Sequence, residues 1–194
     1  PRYDSLLSSG KETKSLDIER PTILLATGPR LRKEKIKVLI DLLCSKYNVI
    51  LKPHPWEISR KQFSFYYLYE ECEKKYKCLR LIKDSKENIY DLIMQSDLVV
   101  SSQSTVGLEG MLLDKPVFVY NFLDSNRDYE YYNDLGDNLQ IDPEQMVKSI
   151  DSYLQDEEKR KEFVIVREKF LEKRYLVENS SKELYESIEK LTGL

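Results

Sequence analysis

The stretch that decides the fold is Asp97-Leu98-Val99-Val100-Ser101-Ser102-Gln103-Ser104-Thr105-Val106-Gly107-Leu108-Glu109-Gly110. An apolar run comes first, a hydroxyl-rich segment follows, and a second apolar run occupies 117–120. This order predicts a buried strand, a turn, a short helix and another strand. The turn then lies at the carboxyl end of a strand, where the free amides and positive dipole end of the next helix favour a phosphate group.

Individual residue types in this stretch support the same interpretation. Ser104 and Thr105 are preferred at helix N-caps, and Gly107 and Gly110 allow helix, strand and ligand to approach closely. Glu109 follows about one turn later, where its carboxylate can accept hydrogen bonds from the vicinal hydroxyls of a ribose. We therefore interpret the stretch as the diphosphate and ribose site of a nucleotide-activated donor.

Outward from this stretch, the chain alternates apolar strands with amphipathic helices. Strands are predicted at 21–27, 48–52, 79–82 and 139–141, and helices at 36–46, 64–77, 88–96, 142–154, 157–174 and 181–191. An acidic, tyrosine-rich loop is predicted at 121–137. The alternation predicts an α/β fold, a Rossmann-like parallel sheet sandwiched by helices with extra C-terminal helices.

Composition bounds the domain organisation and the class of function. The 194 residues suffice for one substantial domain, which we predict at 21–194 after an inter-domain linker remnant at 1–20. A net charge of −3 gives no support for general nucleic-acid binding. The three cysteines lack metal-binding spacing, which indicates reduced thiols and no metal site.

Three predicted turns converge on one edge of the sheet, because the carboxyl ends of parallel strands lie together and bind ligands there. The first turn carries Thr27, Gly28 and Arg30, and its cation can neutralise a diphosphate. The second carries His54, the only histidine, between two prolines. Its imidazole is the predicted catalytic group, donating a hydrogen bond or a charge to a phosphoryl or glycosyl oxygen; the alternative is a histidine in a rigid surface turn.

Other nucleotide and hydrolase motifs do not fit. Neither G-x-G-x-x-G nor G-x-x-x-x-G-K-[ST] occurs at the first strand–helix junction, so a dinucleotide or Walker-type site has no support. The G-x-S-x-G elbow is absent around Ser104, and His54 precedes this serine in the chain. Serine hydrolysis is therefore rejected.

Three segments together resemble the C-terminal, donor-binding half of GT-B-type transferases, namely Pro1-Arg2-Tyr3-Asp4, Lys52-Pro53-His54-Pro55, and Ser101 to Thr105 with Glu109. The nearest groups are the capsule polysaccharide enzymes and the CDP-glycerol glycerophosphotransferases of teichoic acid synthesis. The resemblance implies that His54, Ser104 and Thr105 contact the donor phosphate. We assign Lys52, Ser102 and Val106 to the same donor-binding set.

The resemblance implies a domain that binds a CMP-, CDP- or UDP-linked nucleotide sugar for cell-surface or capsular polysaccharide synthesis, without a cofactor. Ser101-Ser102-Gln103 replaces the aspartate and tyrosine usual in the glycerophosphotransferases, which favours a nucleotide sugar over CDP-glycerol. A glycerophosphotransferase and a UDP-sugar 2-epimerase-like enzyme remain alternatives, as does a non-catalytic nucleotide-binding or interaction domain. The chain lacks the N-terminal acceptor half, so we expect it to be inactive alone. A cytoplasmic location is expected, with peripheral association at the inner face of the membrane left open for the full-length protein.

Overall fold

A parallel sheet lies at the centre of the computed structural model, which describes residues 16–29, 31–122 and 130–174. Within these residues the strands are β1 (Thr22–Ala26), β2 (Asn48–Lys52), β3 (Leu79–Leu81), β4 (Leu98–Ser102), β5 (Val117–Tyr120) and β6 (Leu139–Gln140). Their order in the sheet is β3-β2-β1-β4-β5-β6, and every neighbouring pair is parallel. This is the strand order of the doubly wound Rossmann fold.

Helices cover both faces of the sheet. In the described part of the chain they are α1 (Lys33–Lys46), α2 (Pro55–Ser59), α3 (Tyr66–Lys75), α4 (Ile89–Gln95), α5 (Thr105–Leu112), α6 (Pro143–Gln155) and α7 (Glu157–Arg174). The core on one face combines strand side chains with α1, α3 and α6, and the core on the other combines them with α4, α5 and part of α7. The predicted Rossmann-like α/β class is confirmed.

The central strands are buried on both faces, which explains their nearly continuous apolar sequence. Ile23, Leu24 and Leu25 of β1 are all 0% exposed, and alternate members point into the two cores. Full burial of one such aliphatic side chain contributes roughly 1.5–3 kcal/mol. The packed interior strands therefore fix where the loops at the carboxyl edge of the sheet begin.

Three details differ from the sequence-based expectation. Ser101 and Ser102 belong to β4 and are buried, because the strand continues past its apolar run. Helix α2 and a 3-10 turn at Lys61–Phe63 follow the His-Pro segment, where only a turn was expected. Part of the predicted 121–137 loop is 3-10 helical at Glu130–Asn138. The helix predicted at 181–191 lies outside the described residues.

Residues 16–20, the part of the predicted linker that the structure describes, form hydrogen bonds with the domain. Asn48 at the start of β2 donates to the carbonyl oxygens of Asp17 at 2.6 Å and Arg20 at 3.0 Å. Its side-chain oxygen accepts from the Asp17 amide at 3.2 Å, and Leu16 packs against one of the two cores. Residues 16–20 of the predicted linker remnant are therefore held against the domain by hydrogen bonds and packing. Residues 1–15 lie outside the described part.

Helix α7 crosses the edge of the sheet beside β6. Phe163 near its start contacts Phe118 and Tyr153, whereas Phe170 stacks on Tyr132 on the opposite face with ring centroids 5.6 Å apart. A cavity of about 320 Å³ lies between this helix, α6 and the 3-10 segment, next to Gly136. None of the helices in the described ranges has the length and apolar character needed to span a membrane.

Candidate functional site

The sheet order places a crevice between the carboxyl ends of β1 and β4. These two strands are neighbours, yet the helices that follow them, α1 and α5, pack on opposite faces. The register aligns Ala26 of β1 with Lys52 of β2 on one side and with Ser101 of β4 on the other. The segments that carry Thr27, His54 and Ser104 therefore leave the same edge of the sheet, as the sequence predicts for a ligand site.

Gly28 and Ser102 pack directly against each other in this crevice. A Cβ atom placed on Gly28 would lie 2.8 Å from the Ser102 hydroxyl oxygen, which is shorter than side chains tolerate. Both residues are buried, and Ser102 is 6% exposed. Glycine at position 28 thus lets the turn after β1 lie directly against β4 at the bottom of the crevice.

The start of α5 has the geometry of an anion site. Ser104 is its N-cap, but the Ser104 side chain makes no capping hydrogen bond. The Gly107 amide in the first turn donates to the Ser104 carbonyl oxygen at 3.2 Å. The helix amides before it have no acceptor within the helix, and they share the positive end of its dipole. The Tyr132 hydroxyl donates to the Ser104 carbonyl oxygen at 2.5 Å and so fixes the backbone where the helix begins.

The glycines of α5 serve helix packing. A Cβ atom on Gly110 would lie 2.9 Å from Val117, and one on Gly107 would lie 3.0 Å from the Ser101 hydroxyl and 3.1 Å from that of Tyr132. Close approach of helix and strands is confirmed at these positions. Both residues are buried and their Cβ directions face protein atoms, and close approach of a ligand at these positions stays a prediction.

His54 is held in one orientation by the start of α2. It is the N-cap residue, and its Nδ1 accepts a hydrogen bond from the Trp56 amide at 3.1 Å. An acceptor nitrogen carries no proton, so the neutral ring has its proton on Nε2. Partial burial of the ring and the nearby Lys52 ammonium lower the pKa of His54 below 6.5. At neutral pH the exposed imidazole is therefore a hydrogen-bond donor without a charge.

Lys52 carries a charge that the described residues leave unpaired. Its side chain is buried, with 7% exposure, and its ammonium has no hydrogen-bond partner in the described part of the chain. Burial lowers the pKa of Lys52, and the carboxylates of Glu87 and Asp84 oppose this shift from a distance. A buried cation without a partner is destabilising, so an anionic ligand at this place would relieve the penalty.

Glu57 was missed in the sequence, although it connects two of the predicted turns. Its buried carboxylate accepts from the Thr27 hydroxyl at 2.7 Å, from the Tyr69 hydroxyl at 2.8 Å and from the His54 amide at 3.0 Å. Burial raises the pKa of Glu57, and these three hydrogen bonds oppose the increase. Two sequence features could have identified Glu57: a proline at the first helical position and a glutamate two residues later. Together they form a capping box in which histidine takes the place of the usual serine or threonine.

The remaining predicted residues divide by location. The Thr27 hydroxyl is directed at Glu57, and Val106 packs partly against one core. Thr105 is exposed at the first turn of α5, and Glu109 is half-buried on its second turn. Arg30 lies outside the described residues. Ligand binding by the whole set stays a prediction.

Comparison with protein families and solved structures agrees with the observed fold. Residues 27–190 match the profile described as CDP-Glycerol:Poly(glycerophosphate) glycerophosphotransferase. No curated protein sequence matches the chain. The wall teichoic acid polymerase TagF, in a structure with CDPG, is 17% identical, with a TM-score of 0.56 over 91% of this chain and 43% of TagF.

Two further structures share the fold. The UDP-GlcNAc 2-epimerase from Neisseria meningitidis, bound to UDP-GlcNAc, is 16% identical, with a TM-score of 0.56 over 89% of this chain and 45% of the epimerase. MnaA from S. aureus, in complex with UDP, is 11% identical, with a TM-score of 0.52 over 72% of this chain and 38% of MnaA. The chain thus spans less than half the length of each of these proteins.

The family match covers most of the chain, and it includes both the His-Pro segment and the serine-rich segment. The resemblance to the CDP-glycerol glycerophosphotransferases that these motifs predicted is therefore confirmed, and the solved structures share the Rossmann-like fold. The chain belongs to the CDP-glycerol:poly(glycerophosphate) glycerophosphotransferase family.

Proposed function

We propose that this chain is the donor-binding part of a transferase and that it binds the phosphates of a nucleotide-activated donor at the crevice between β1 and β4. The observation that carries the proposal is the buried ammonium of Lys52, which no described residue pairs and which lies at the same edge of the sheet as His54 and the start of α5. An anionic group is what such an arrangement binds best.

Each proposed contact to the phosphates is a hydrogen-bond donor or a positive charge. The first-turn amides of α5 and the hydroxyls of Ser104 and Thr105 donate to phosphate oxygens. The Nε2–H of His54 adds a directed neutral donor, and Lys52 supplies the compensating charge. The half-buried Glu109 carboxylate, one turn along α5, accepts from the ribose hydroxyls.

These groups would act on the leaving phosphate in the full-length enzyme. An acceptor hydroxyl attacks the donor, the bond to the departing phosphate oxygen breaks, and the negative charge collects on that oxygen. With a nucleotide sugar the attack is at the sugar carbon; with CDP-glycerol it is at the phosphorus that bears glycerol, and CMP departs. Preorganised donors stabilise either leaving group, typically by about 3–4 kcal/mol for one well-placed donor.

The acceptor site and the base that takes the hydroxyl proton are proposed to lie in an N-terminal domain of the full-length protein. The chain alone is then expected to bind donor with little or no turnover. The donor is a substrate, and the proposal includes no resident cofactor. A cytoplasmic location belongs to the proposal, as does a role in making a surface polymer such as a capsule.

Two donor classes remain candidates, each on its own observation. Family membership favours CDP-glycerol. The segment Ser101-Ser102-Gln103, which stands where the glycerophosphotransferases usually have aspartate and tyrosine, favours a nucleotide sugar. In both cases the nucleoside phosphate part binds at the same edge of the sheet.

A thermal-shift panel of CMP, CDP, UDP, GDP and CDP-glycerol tests the proposal. A ligand at about 100 times its Kd stabilises the native state by about 2.7 kcal/mol, or roughly 5–10 °C in a domain of this size. We expect a shift with CDP or UDP that exceeds the shift with GDP. The absence of a shift with all five ligands at millimolar concentration would contradict donor binding and favour a non-catalytic interaction domain.

A further inference from the structure

We infer that Glu57 is a positioning residue for the proposed donor site: its carboxylate sets the orientation of the His54 ring and the position of the first turn. The inference rests on the proposed function for its consequence on nucleotide binding. Its direct consequence, the orientation of His54, can be measured without any ligand.

The carboxylate joins segments that are distant in sequence. One of its oxygens accepts both from the Thr27 hydroxyl at 2.7 Å and from the His54 amide at 3.0 Å. Thr27 directly follows β1, and His54 lies two residues after β2. A single oxygen atom therefore fixes the relative position of two turns that border the crevice.

The bond to the His54 amide is half of a reciprocal cap. The imidazole Nδ1 accepts from the Trp56 amide while the Glu57 carboxylate accepts from the amide of His54 itself. The first bond selects the Nε2–H form of the ring, and the second holds the backbone from which the ring projects. Loss of the carboxylate would release the backbone and, with it, the preference for one form of the ring.

The second carboxylate oxygen is bound by a side chain of α3. It accepts from the Tyr69 hydroxyl at 2.8 Å, and Tyr69 is 0% exposed within α3. Tyr69 contacts Glu57 and makes no hydrogen bond to His54, and the other carboxylate oxygen stays bonded to Thr27 and His54 in its absence, which makes Tyr69→Phe a matched control. That variant loses a buried hydrogen bond to the same carboxylate and keeps both bonds to the turns.

The experiment uses the fact that His54 is the only histidine of the chain. Nitrogen NMR of the imidazole reports its protonated nitrogen in wild type, Glu57→Ala, Glu57→Gln and Tyr69→Phe, with CDP affinity measured by calorimetry in parallel. We expect the Nε2–H form alone in wild type and a mixture of both neutral forms in Glu57→Ala, with CDP affinity reduced at least tenfold. Glu57→Gln keeps a side-chain oxygen that can accept from both the Thr27 hydroxyl and the His54 amide. It should therefore retain the Nε2–H form alone and a CDP affinity within threefold of wild type.

Tyr69→Phe is expected to melt at a lower temperature with an unchanged imidazole spectrum and an affinity within twofold of wild type. An unchanged spectrum in Glu57→Ala would overturn the inference, as would the same spectral change in Tyr69→Phe. If Glu57→Ala does not fold, Glu57→Asp replaces it, because the shorter side chain cannot reach both turns. The results expected for Glu57→Ala then apply to Glu57→Asp. If wild type binds neither CDP nor UDP, the proposed function fails, and the spectra still decide whether Glu57 positions His54.

Discussion

The Ser102 hydroxyl oxygen lies 2.8 Å from the point where a Cβ atom on Gly28 would stand. Gly28 lies just after β1 and Ser102 is the last residue of β4, three helical crossovers later in sequence, and they meet because β1 and β4 are neighbours in the sheet. The space at position 28 is thus set by a residue of β4. The two sides of the crevice are mechanically coupled at this contact.

Gly28→Ala is expected to destabilise the domain by about 1–3 kcal/mol, because the added methyl group forces the buried Ser102 side chain to move. Ser102→Ala removes the oxygen that would clash. The double variant should therefore lose less stability than the sum of the single variants, by at least 0.5 kcal/mol on the usual scale for contacting residues. Urea unfolding of the four proteins measures this coupling; additive losses would show that the contact is absent.

Lys52→Met is expected to raise the stability of the ligand-free domain by about 1–2 kcal/mol, because it removes a buried and unpaired charge while keeping an apolar chain of similar length. The same change should weaken CDP binding at least tenfold. Thermal unfolding and calorimetry give both values.

Lys46→Met is the matched control for this substitution. Lys46 lies two residues before β2, at the end of this strand opposite to Lys52. It forms an exposed ion pair with Asp151. Such pairs contribute about 0–1 kcal/mol, so the control should leave CDP affinity unchanged. A less stable Lys52→Met protein with wild-type affinity would contradict the role given to Lys52.

The lowered pKa of His54 predicts a pH-dependent contribution to stability. The native state binds the imidazole proton less tightly than the unfolded chain, so the free energy of unfolding falls as the pH decreases from 6.5 towards the lower native pKa. His54→Asn keeps a good N-cap and removes this effect. Urea unfolding at pH 7.5 and 5.5 should therefore show a larger loss in wild type than in the variant. Equal losses would mean that the pKa of His54 is not lowered.

Tyr132→Phe should uncouple the 3-10 segment from the start of α5. It removes the hydrogen bond to the Ser104 carbonyl oxygen and keeps the stack on Phe170. We expect a loss of about 0.5–1.5 kcal/mol and a CDP affinity reduced several-fold, because the helix start is less well fixed. Tyr131→Phe, in the same aromatic cluster, is the control. The prediction is wrong if the two variants lower the affinity equally.

Much of the sheet was predictable because its chemistry is local and periodic. The apolar run 48–52 matches β2 in both bounds, and the acid–proline start at Asp142 and Pro143 begins α6 as expected. Strand alternation with helices then determined the parallel topology and the shared edge of the three turns. These features depend on patterns within a few residues of each other.

The contacts inside the site were not predictable in the same way. Nothing near Gly28 in sequence indicates that its neighbour is Ser102, since the contact arises only when β1 and β4 pair. Thr27 was expected to face a ligand, yet its hydroxyl is directed at Glu57, thirty residues away. The carboxyl end of β4 was not recognised in the sequence because Ser101 and Ser102 are polar and typical of turns. Their backbone nevertheless continues the parallel pairing with β5.

The measurement that most directly tests donor binding at the carboxyl edge is a titration of the chain with CDP, followed by amide chemical-shift changes. The account predicts the largest changes at His54, Thr105 and Val106, with small changes around the 320 Å³ cavity beside Gly136 and Ser149. Changes centred on that cavity, or saturable CDP binding with no change at His54 and the start of α5, would contradict it.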